Sequence, residues 1–268
     1  MFSSNTTLVA CAATLFLTSS VAVAEQGVVP PEPSEPGRVA LESEPDSANP
    51  LTIGASVDVT SRALWRGIAT TVGGAVVPSF TLGAWGFSTT TAAYLGFDAE
   101  SPQVLEELDV TLAWGASVAG WRFDVSANGY LFPGIDAFDH HLEFVGSASW
   151  TGGVFTVGTL HGIEVTSTPG AYYGEVNVAA NIELVSSLAL SISSAFGWSN
   201  AAYAGDWYGV ESAMPQSIGG NLSLSWAVGA GFALSPHAGA WYPTDQRTRD
   251  ALQTAVLWNT GLTVAGAW

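Results

Sequence analysis

The alternation of short turns and long loops constrains this sequence more than any other feature. From residue 51 to residue 268, short segments place apolar residues at every second position, as residues 108–114 do. This period-2 pattern is typical of β-strands with one apolar face. Comparable segments follow at residues 121–131, 142–150, 188–198, 222–228 and 256–268.

The connections between these segments alternate in length along the chain. Tight turns are predicted near residues 86–87, 119–120, 152–153, 186–187 and 229–231. Longer polar loops are predicted at residues 67–77, 99–107, 133–139, 166–171, 200–217 and 243–252. Five turns and six loops make eleven connections and therefore twelve strands. Short turns at one end and long loops at the other are typical of outer-membrane barrels, with the short turns periplasmic.

The sequence excludes a membrane protein that crosses the bilayer with several helices. The chain is 48% hydrophobic and only 11% charged, against about 25% charged in ordinary soluble domains. After residue 24, no apolar stretch reaches the length of a transmembrane helix. A closed barrel is the other structure that satisfies its backbone in lipid, so we expect an all-β, closed antiparallel up-and-down transmembrane β-barrel of about twelve strands. A secreted sandwich or jelly roll is the alternative, but its outward faces would be more polar.

Three regions divide the chain. Residues 1–24 read as a signal peptide with cleavage after Ala24, although residues 8–11 also resemble an acylation signal at Cys11. Residues 25–50 are acidic and rich in proline, which predicts a solvated periplasmic linker; a lumen plug or a partner-binding tail is the alternative. Residues 51–268 form the predicted barrel, in the outer membrane of a Gram-negative bacterium.

Charge narrows the range of partners. The formal net charge is −17, and all six basic residues are arginines. Such a chain repels phosphate backbones, so we expect no nucleic-acid partner. The expected partners are outer-membrane lipid, small hydrophilic solutes and the barrel assembly machinery. The last partner is suggested by Trp268, which shares a strand face with Leu262 and Val264 and resembles a terminal-aromatic assembly signal.

Side chains alternate between the two faces of a strand, and we call the face that a residue occupies its parity. Strand parity predicts which polar side chains line the lumen. On the first strand Val57 and Val59 share the outward face, so Asp58 faces inward with Arg62 and, if the strand continues, Arg66. The same parity places further residues inside: Glu107, Asp109, Arg122, Asp124, Asp139, His141, Glu143, Glu175 and Glu183. We expect carboxylates to pair with the arginines and, being in excess, to make any pore cation-preferring.

Aromatic residues near the predicted strand ends suggest interfacial girdles. Tryptophan is enriched where a barrel meets the lipid headgroups. The residues assigned to these girdles are Trp65, Trp85, Trp121, Trp150, Trp198 and Trp241.

The opening hairpin resembles a known family. Ser61-Arg62, the triplet Trp65-Arg66-Gly67 and Pro78, within residues 54–67 and 77–87, resemble the first hairpin of the TorF-like family of bacterial outer-membrane porins. The resemblance covers some 35 residues and implies a barrel fold and a porin role. It implies no particular substrate.

Enzymatic and metal chemistry have little support in the sequence. The only local cluster of acids and bases is residues 139–143, and no hydrolase nucleophile motif or metalloprotease motif occurs. Asp139, His141 and Glu143 share one strand face and could in principle hold a metal, but lumen polarity is the simpler interpretation. We therefore expect no catalytic residues, no metal and no cofactor.

These observations predict a porin-like channel for passive diffusion of small hydrophilic solutes. A non-conducting barrel with a structural or loop-mediated binding role is the alternative. A hydrolase at the barrel rim is the third hypothesis.

Overall fold

The computed structural model describes residues 51–69, 71, 73–97, 105–133 and 140–268. The predicted signal peptide, the predicted linker and the predicted lumen residue Asp139 lie outside this part of the chain. In chain order the strands are β1 (Leu51–Thr60), β2 (Leu64–Trp65), β3 (Ile68–Ala69), β4 (Ala75–Ala84), β5 (Phe87–Gly96), β6 (Leu105–Val118), β7 (Trp121–Leu131), β8 (His141–Gly152), β9 (Phe155–Glu164), β10 (Tyr172–Val185), β11 (Leu188–Ser199), β12 (Met214–Gly229), β13 (Phe232–Pro243) and β14 (Leu257–Ala267). The helices are α1 (Ala201–Tyr208) and α2 (Gln246–Leu252).

Twelve of the described strands form one closed antiparallel barrel. Each of them pairs with its neighbours in the chain, and β1 pairs with β14 to close the sheet. β2 and β3 pair only with each other. The predicted fold class and strand number are therefore confirmed. Among the described residues, neither helix has the length and hydrophobicity needed to cross a membrane.

The period-2 pattern sorts side chains onto two faces. On β7, Trp121, Phe123 and Val125 are exposed on the outer surface, while Asp124 and Asn128 face the lumen. An apolar outer face and a polar inner face are what a barrel in lipid requires, because only the lumen can offer water or polar partners. The alternation in the sequence thus sets the orientation of each strand.

Two-residue turns join the strands at one end, which we call the turn end. Trp85-Gly86, Ala119-Gly120 and Ala230-Gly231 each have two positive φ angles, as tight hairpins that match strand twist require. Leu51 and Trp268 lie at this end too, where Ile53 and Trp268 exchange backbone hydrogen bonds of 2.8 Å. The longer connections lie at the opposite end, the loop end.

Four of the six tryptophans assigned to the girdles face outward near strand ends, and the other two do not. Trp85, Trp121 and Trp150 are exposed on the outer surface near the turn end, and Trp198 faces outward near the loop end. Trp65 and Trp241 are instead buried inside the barrel. Trp241 has the inward parity of β13 and packs with Leu64 and Leu257.

The first strand also ends earlier than an uninterrupted pattern would allow. β1 stops at Thr60, and the chain then forms the β2–β3 hairpin, which turns at Arg66 (φ 45°) and Gly67 (φ 81°). Arg66 therefore reaches the lumen from a loop and not from a strand. The loops predicted at residues 200–217 and 243–252 contain α1 and α2.

Candidate functional site

Two loop segments fill the lumen at the loop end. We call the β2–β3 hairpin, residues 64–69, and helix α1 together the plug. The hairpin leaves the wall between β1 and β4, and its tip contacts residues of β8, β10 and β12. In a ring of twelve strands β8 to β10 lie opposite β1 and β4. The hairpin therefore crosses the lumen.

A buried ion pair holds the tip of the hairpin. Nη1 and Nη2 of Arg66 donate to Oε1 and Oε2 of Glu143 at 2.7 and 2.9 Å, which is a bidentate arrangement. Nη1 also donates to the Tyr203 hydroxyl at 2.9 Å, and the Tyr130 hydroxyl donates to Glu143 Oε2 at 3.0 Å. The two charged side chains are only 5% and 3% exposed. Bidentate pairs of this kind fix geometry as well as charge.

Aromatic rings complete the surroundings of the Arg66 guanidinium. Its central carbon lies 4.2 Å from the centre of the Trp65 ring and 4.3 Å from that of Tyr173, both within cation–π range. Burial opposes the charged form, but the attraction of Glu143 and its hydrogen bonds outweigh this effect and keep the pKa of Arg66 above its ordinary value. The guanidinium therefore stays charged inside the barrel.

The backbone of the tip is fixed as well. The Arg66 carbonyl accepts hydrogen bonds from the Tyr208 hydroxyl at 2.6 Å and from Ser217 Oγ at 3.3 Å. At Gly67 a Cβ atom would lie 2.6 Å from the Cβ of Ser217, so the positive φ and the close approach both require glycine. The Arg-Gly dipeptide thus has two separate roles, a charge on the side chain and a turn against the wall.

Helix α1 forms the other half of the plug. Asn200 caps its start, because Oδ1 accepts from the Tyr203 backbone N–H at 3.0 Å, and Gly209 ends it in the left-handed conformation. Its buried face presents Tyr203 and Trp207, and the Trp207 ring lies 5.2 Å from that of Trp65. The plug and the wall therefore share one small aromatic core.

His141 connects the wall to this core. Its Nδ1 lies 2.6 Å from Ser167 Oγ, 3.5 Å from Glu164 Oε2 and 4.0 Å from Asp206 Oδ2. A hydrolytic triad needs its hydroxyl and its carboxylate on different ring nitrogens, whereas both lie closest to Nδ1 here, and Ser167 Oγ is 3.4 Å from Nε2. His141 is also buried, so the cluster is better explained as a structural contact between β8, β9 and α1.

The remaining predicted lumen residues occupy separate positions. Asp58 accepts hydrogen bonds of 2.8 Å from His237 and Thr263. Glu175 accepts one of 2.9 Å from the Tyr173 hydroxyl. Glu107 and Asp109 have inward positions on β6 and are buried. Glu183 has an inward position near the turn end of β10 and is exposed. Arg62 lies just after the end of β1 and is half-buried. Asp58, Glu107, Asp109, Glu175 and Glu183 thus have the inward positions of their strands, whereas Arg62 lies beyond the end of β1 and Arg66 enters from the β2–β3 hairpin.

Arg122 and Asp124 form the second lumen ion pair that strand parity brought together. Their closest atoms are 2.6 Å apart, but the Arg122 side chain is 57% exposed. This part of the wall is otherwise lined by small residues. They include Ser56, Ser79, Thr90, Ala113, Ser126, Ser147 and Ser193. Small residues therefore line the lumen towards the turn end, whereas large aromatic residues fill the loop end.

Several residues of the site were not predicted from the sequence. Glu164 has the inward parity of β9, and Tyr130 and Tyr173 have that of β7 and β10, so alternation alone could have identified them. Tyr203 and Trp207 lie in a loop segment, where strand parity gives no information.

The geometry does not favour the metal set considered from the sequence. Arg66 occupies both oxygens of Glu143, so this carboxylate is not free to share an ion with His141. Nowhere in the described parts of the chain do three His, Cys, Asp or Glu side chains converge as metal ligands.

Comparison with solved structures identifies proteins whose fold is similar to that of this chain. A NanC porin has a TM-score of 0.52 with this chain at 6% identity, covering 79% of this chain and 98% of the porin. The fold is a porin-type barrel. An outer-membrane channel from Pseudomonas putida F1 gives 0.49 at 11% identity, with 85% and 100% covered. A KdgM porin in complex with disordered oligogalacturonate gives 0.47 at 8% identity, with 81% and 98% covered.

Sequence comparison assigns the chain to no protein family. No protein-family model matches the chain, and no curated protein sequence matches it. At 6% identity the likeness to the NanC porin extends to the fold alone. Membership of the TorF-like family therefore stays a prediction.

Proposed function

We propose that this protein is an outer-membrane channel for small hydrophilic solutes, narrowed at the loop end by the plug. The observation that carries the proposal is the closed barrel with an apolar outer face and a polar lumen wall. The porin fold of the NanC structure supports it. The TorF-like resemblance at Trp65-Arg66-Gly67 agrees with a porin role, and we place the turn end in the periplasm.

Cation preference follows from which lumen charges are compensated. Arg66 is neutralised by Glu143 and Arg122 by Asp124, which leaves Arg62 as the predicted lumen arginine outside these two ion pairs. Asp58 and Glu175 remain along the wall with hydrogen bonds from a histidine and from hydroxyl groups, and together with Glu183 they outnumber Arg62. Fixed carboxylates in a narrow channel raise the local concentration of cations.

A non-conducting barrel is the second candidate, and the plug is the observation that favours it. Trp65, Tyr203 and Trp207 fill the loop end with side chains that are almost fully buried. If the plug stays closed, the loops and the lipid-facing surface would carry a structural or binding role. In either case the outer-membrane lipid and the barrel assembly machinery are the partners that we propose.

Conductance of the purified protein in a planar bilayer tests the proposal. We expect single-channel steps and, under a KCl gradient at low salt, a reversal potential of the sign that indicates cation preference. The preference should decline towards 1 M salt, where the screening length is about 3 Å. Absence of steps in a correctly folded barrel would favour the non-conducting role, and anion preference would contradict the charge argument.

A further inference from the structure

The surroundings of the Arg66 side chain belong mostly to the barrel wall and not to the hairpin that carries it. Glu143 lies on the inward face of β8, and Tyr130 and Tyr173 lie on the inward faces of β7 and β10. Tyr203 of α1 adds a hydroxyl group to the same site. We call these four residues the cage. The hairpin pairs only with itself and contributes no residue to the cage.

Contacts within the wall hold two members of the cage in place. The Tyr130 hydroxyl donates to Glu143 Oε2 at 3.0 Å, and the Tyr173 hydroxyl donates to Glu175 Oε2 at 2.9 Å. The neighbouring strand β9 also leaves room for the carboxylate, because a Cβ atom at Gly162 would collide with Glu143. The carboxylate and the Tyr173 ring are therefore preorganised for a cation, whichever molecule supplies it.

The geometry of the cage matches a guanidinium group better than an ammonium group. Both oxygens of Glu143 accept hydrogen bonds from Arg66, at 2.7 and 2.9 Å, and this arrangement uses the planar fork of the guanidinium. The guanidinium carbon also lies over the Tyr173 ring, 4.3 Å from its centre. A guanidinium can stack on a ring and bind a carboxylate through two hydrogen bonds at once, whereas an ammonium is a compact and strongly hydrated charge.

We propose that the cage is a binding site for solutes that carry a guanidinium group, and that Arg66 occupies it as an internal ligand. In the part of the chain that the structure describes, Arg66 is the one cation in a salt bridge with Glu143. If the hairpin tip leaves, Glu143 becomes a buried anion without a counter-ion, which is costly unless another cation takes its place. Binding requires no conduction; only its consequence, that such a solute opens the loop end, rests on the proposed channel.

Vacating the cage tests the proposal on the full-length barrel in detergent. Arg66→Gly removes the side chain and suits the positive φ of 45° at this turn. A ligand that binds only the folded state stabilises that state. We expect ethylguanidinium, at about five times its dissociation constant, to raise the thermal unfolding temperature of this variant by about 2–4 °C. N-ethylurea is planar but uncharged and ethylammonium is charged but lacks the planar fork, so both should have much smaller effects.

Two further variants show whether the response depends on the cage. Arg122→Gly makes the same change at the other lumen arginine with a carboxylate partner, but this pair is exposed, so ethylguanidinium should cause no comparable rise. The double variant Arg66→Gly/Glu143→Gln should also lose the response, because the carboxylate that accepts both hydrogen bonds is absent.

Another variant keeps the test decisive if Arg66→Gly fails to fold. Arg66→Lys retains the charge without the bidentate hydrogen bonds, so calorimetry should show ethylguanidinium binding to it about tenfold or more tightly than to the wild type. Equal binding to these two proteins, or no rise for folded Arg66→Gly, or an equal rise with N-ethylurea, would overturn the proposal and indicate a purely structural ion pair. Because no current is measured, this outcome would leave the channel proposal untouched.

Discussion

The two lumen ion pairs differ mainly in burial, which predicts very different contributions to stability. Glu143→Gln leaves the Arg66 charge buried without a counter-ion, so the free energy of unfolding should fall by about 3–5 kcal/mol. Asp124→Asn breaks the pair with the exposed Arg122, and its effect should be about 0–1 kcal/mol. Urea unfolding in detergent, followed by tryptophan fluorescence, measures both. Equal losses would contradict the assignment of Arg66 to a closed core.

Gly67 should be harder to replace than Gly153, the glycine of the β8–β9 turn. Gly67→Ala and Gly153→Ala each place a side chain at positive φ, at a cost of about 1 kcal/mol. Only at position 67 would the new Cβ meet Ser217, which adds about 1–3 kcal/mol of overpacking, because Gly153 faces open space. Unfolding free energies of both variants, with Gly67→Ala/Ser217→Gly as the relieved double variant, test this. Indistinguishable single variants would show that the tip does not press against β12.

At the scale of single residues, alternation was a reliable guide wherever a strand continued. Inward positions for Asp58, Glu107 and Glu143 followed from period 2 alone. Trp65 was misplaced because the chain leaves the wall after Thr60, and Arg66-Gly67 is not one of the dipeptides that usually mark a two-residue hairpin. Trp241 was misplaced because a girdle position and an inward position differ by one residue.

The hairpin β2–β3 is the element whose removal should change the barrel most. If a Gly-Ser linker replaces residues 63–69, the loop end loses Trp65 and Arg66, and α1 loses the partners of its buried face. We expect a larger single-channel conductance with the barrel intact by circular dichroism. Insertion of the same linker at the Gly153 turn is the control and should leave conductance unchanged. An unchanged conductance in the hairpin variant would mean that the constriction lies elsewhere.

Helix α2 should respond to acid more than helix α1. Hydrogen bonds from Arg247 lower the pKa of Asp245, the cap of α2, to about 2, whereas α1 is capped by the neutral amide of Asn200. A carboxyl with a lowered pKa contributes stability above its unfolded pKa of about 4 and loses it as the pH falls towards 2. Hydrogen exchange, corrected for intrinsic rates, should show protection of α2 falling in this window while that of α1 persists. Parallel loss in both helices would point to global unfolding.

The strands were predictable as elements and the helices were not. Period-2 segments such as residues 121–131 match β7 residue for residue. α1 and α2 have eight and seven residues, too few for an amphipathic pattern to stand out. The signals that could have revealed them are their caps, Asn200 and Asp245, which lie in loops where asparagine and aspartate are common for other reasons.

For the whole molecule, the outer aromatic surface predicts contact with lipid. Trp85 is 79% exposed at the turn end, whereas Trp65 is 3% exposed inside the plug. In vesicles that contain brominated lipid, which quenches nearby tryptophans, Trp85→Phe should remove quenched emission and Trp65→Phe should remove unquenched emission. The two variants remove an indole from the outer surface and from the plug, respectively. Equal changes in the quenched fraction would argue against the proposed position in the membrane.

The β2–β3 hairpin is attached to the barrel wall at both of its ends, so a solute that displaces its tip does not remove it. Because β1 and β4 tether the segment, a displaced tip cannot diffuse away and remains close to its own binding site beside Glu143. Short flexible tethers correspond to effective concentrations on the order of millimolar. A solute that binds the same surface must therefore compete with the tethered tip, which is present at that effective concentration. If the proposed channel conducts, a solute that opens it by displacing the tip would be needed at a comparable concentration, so the barrel would suit abundant solutes and not scarce ones.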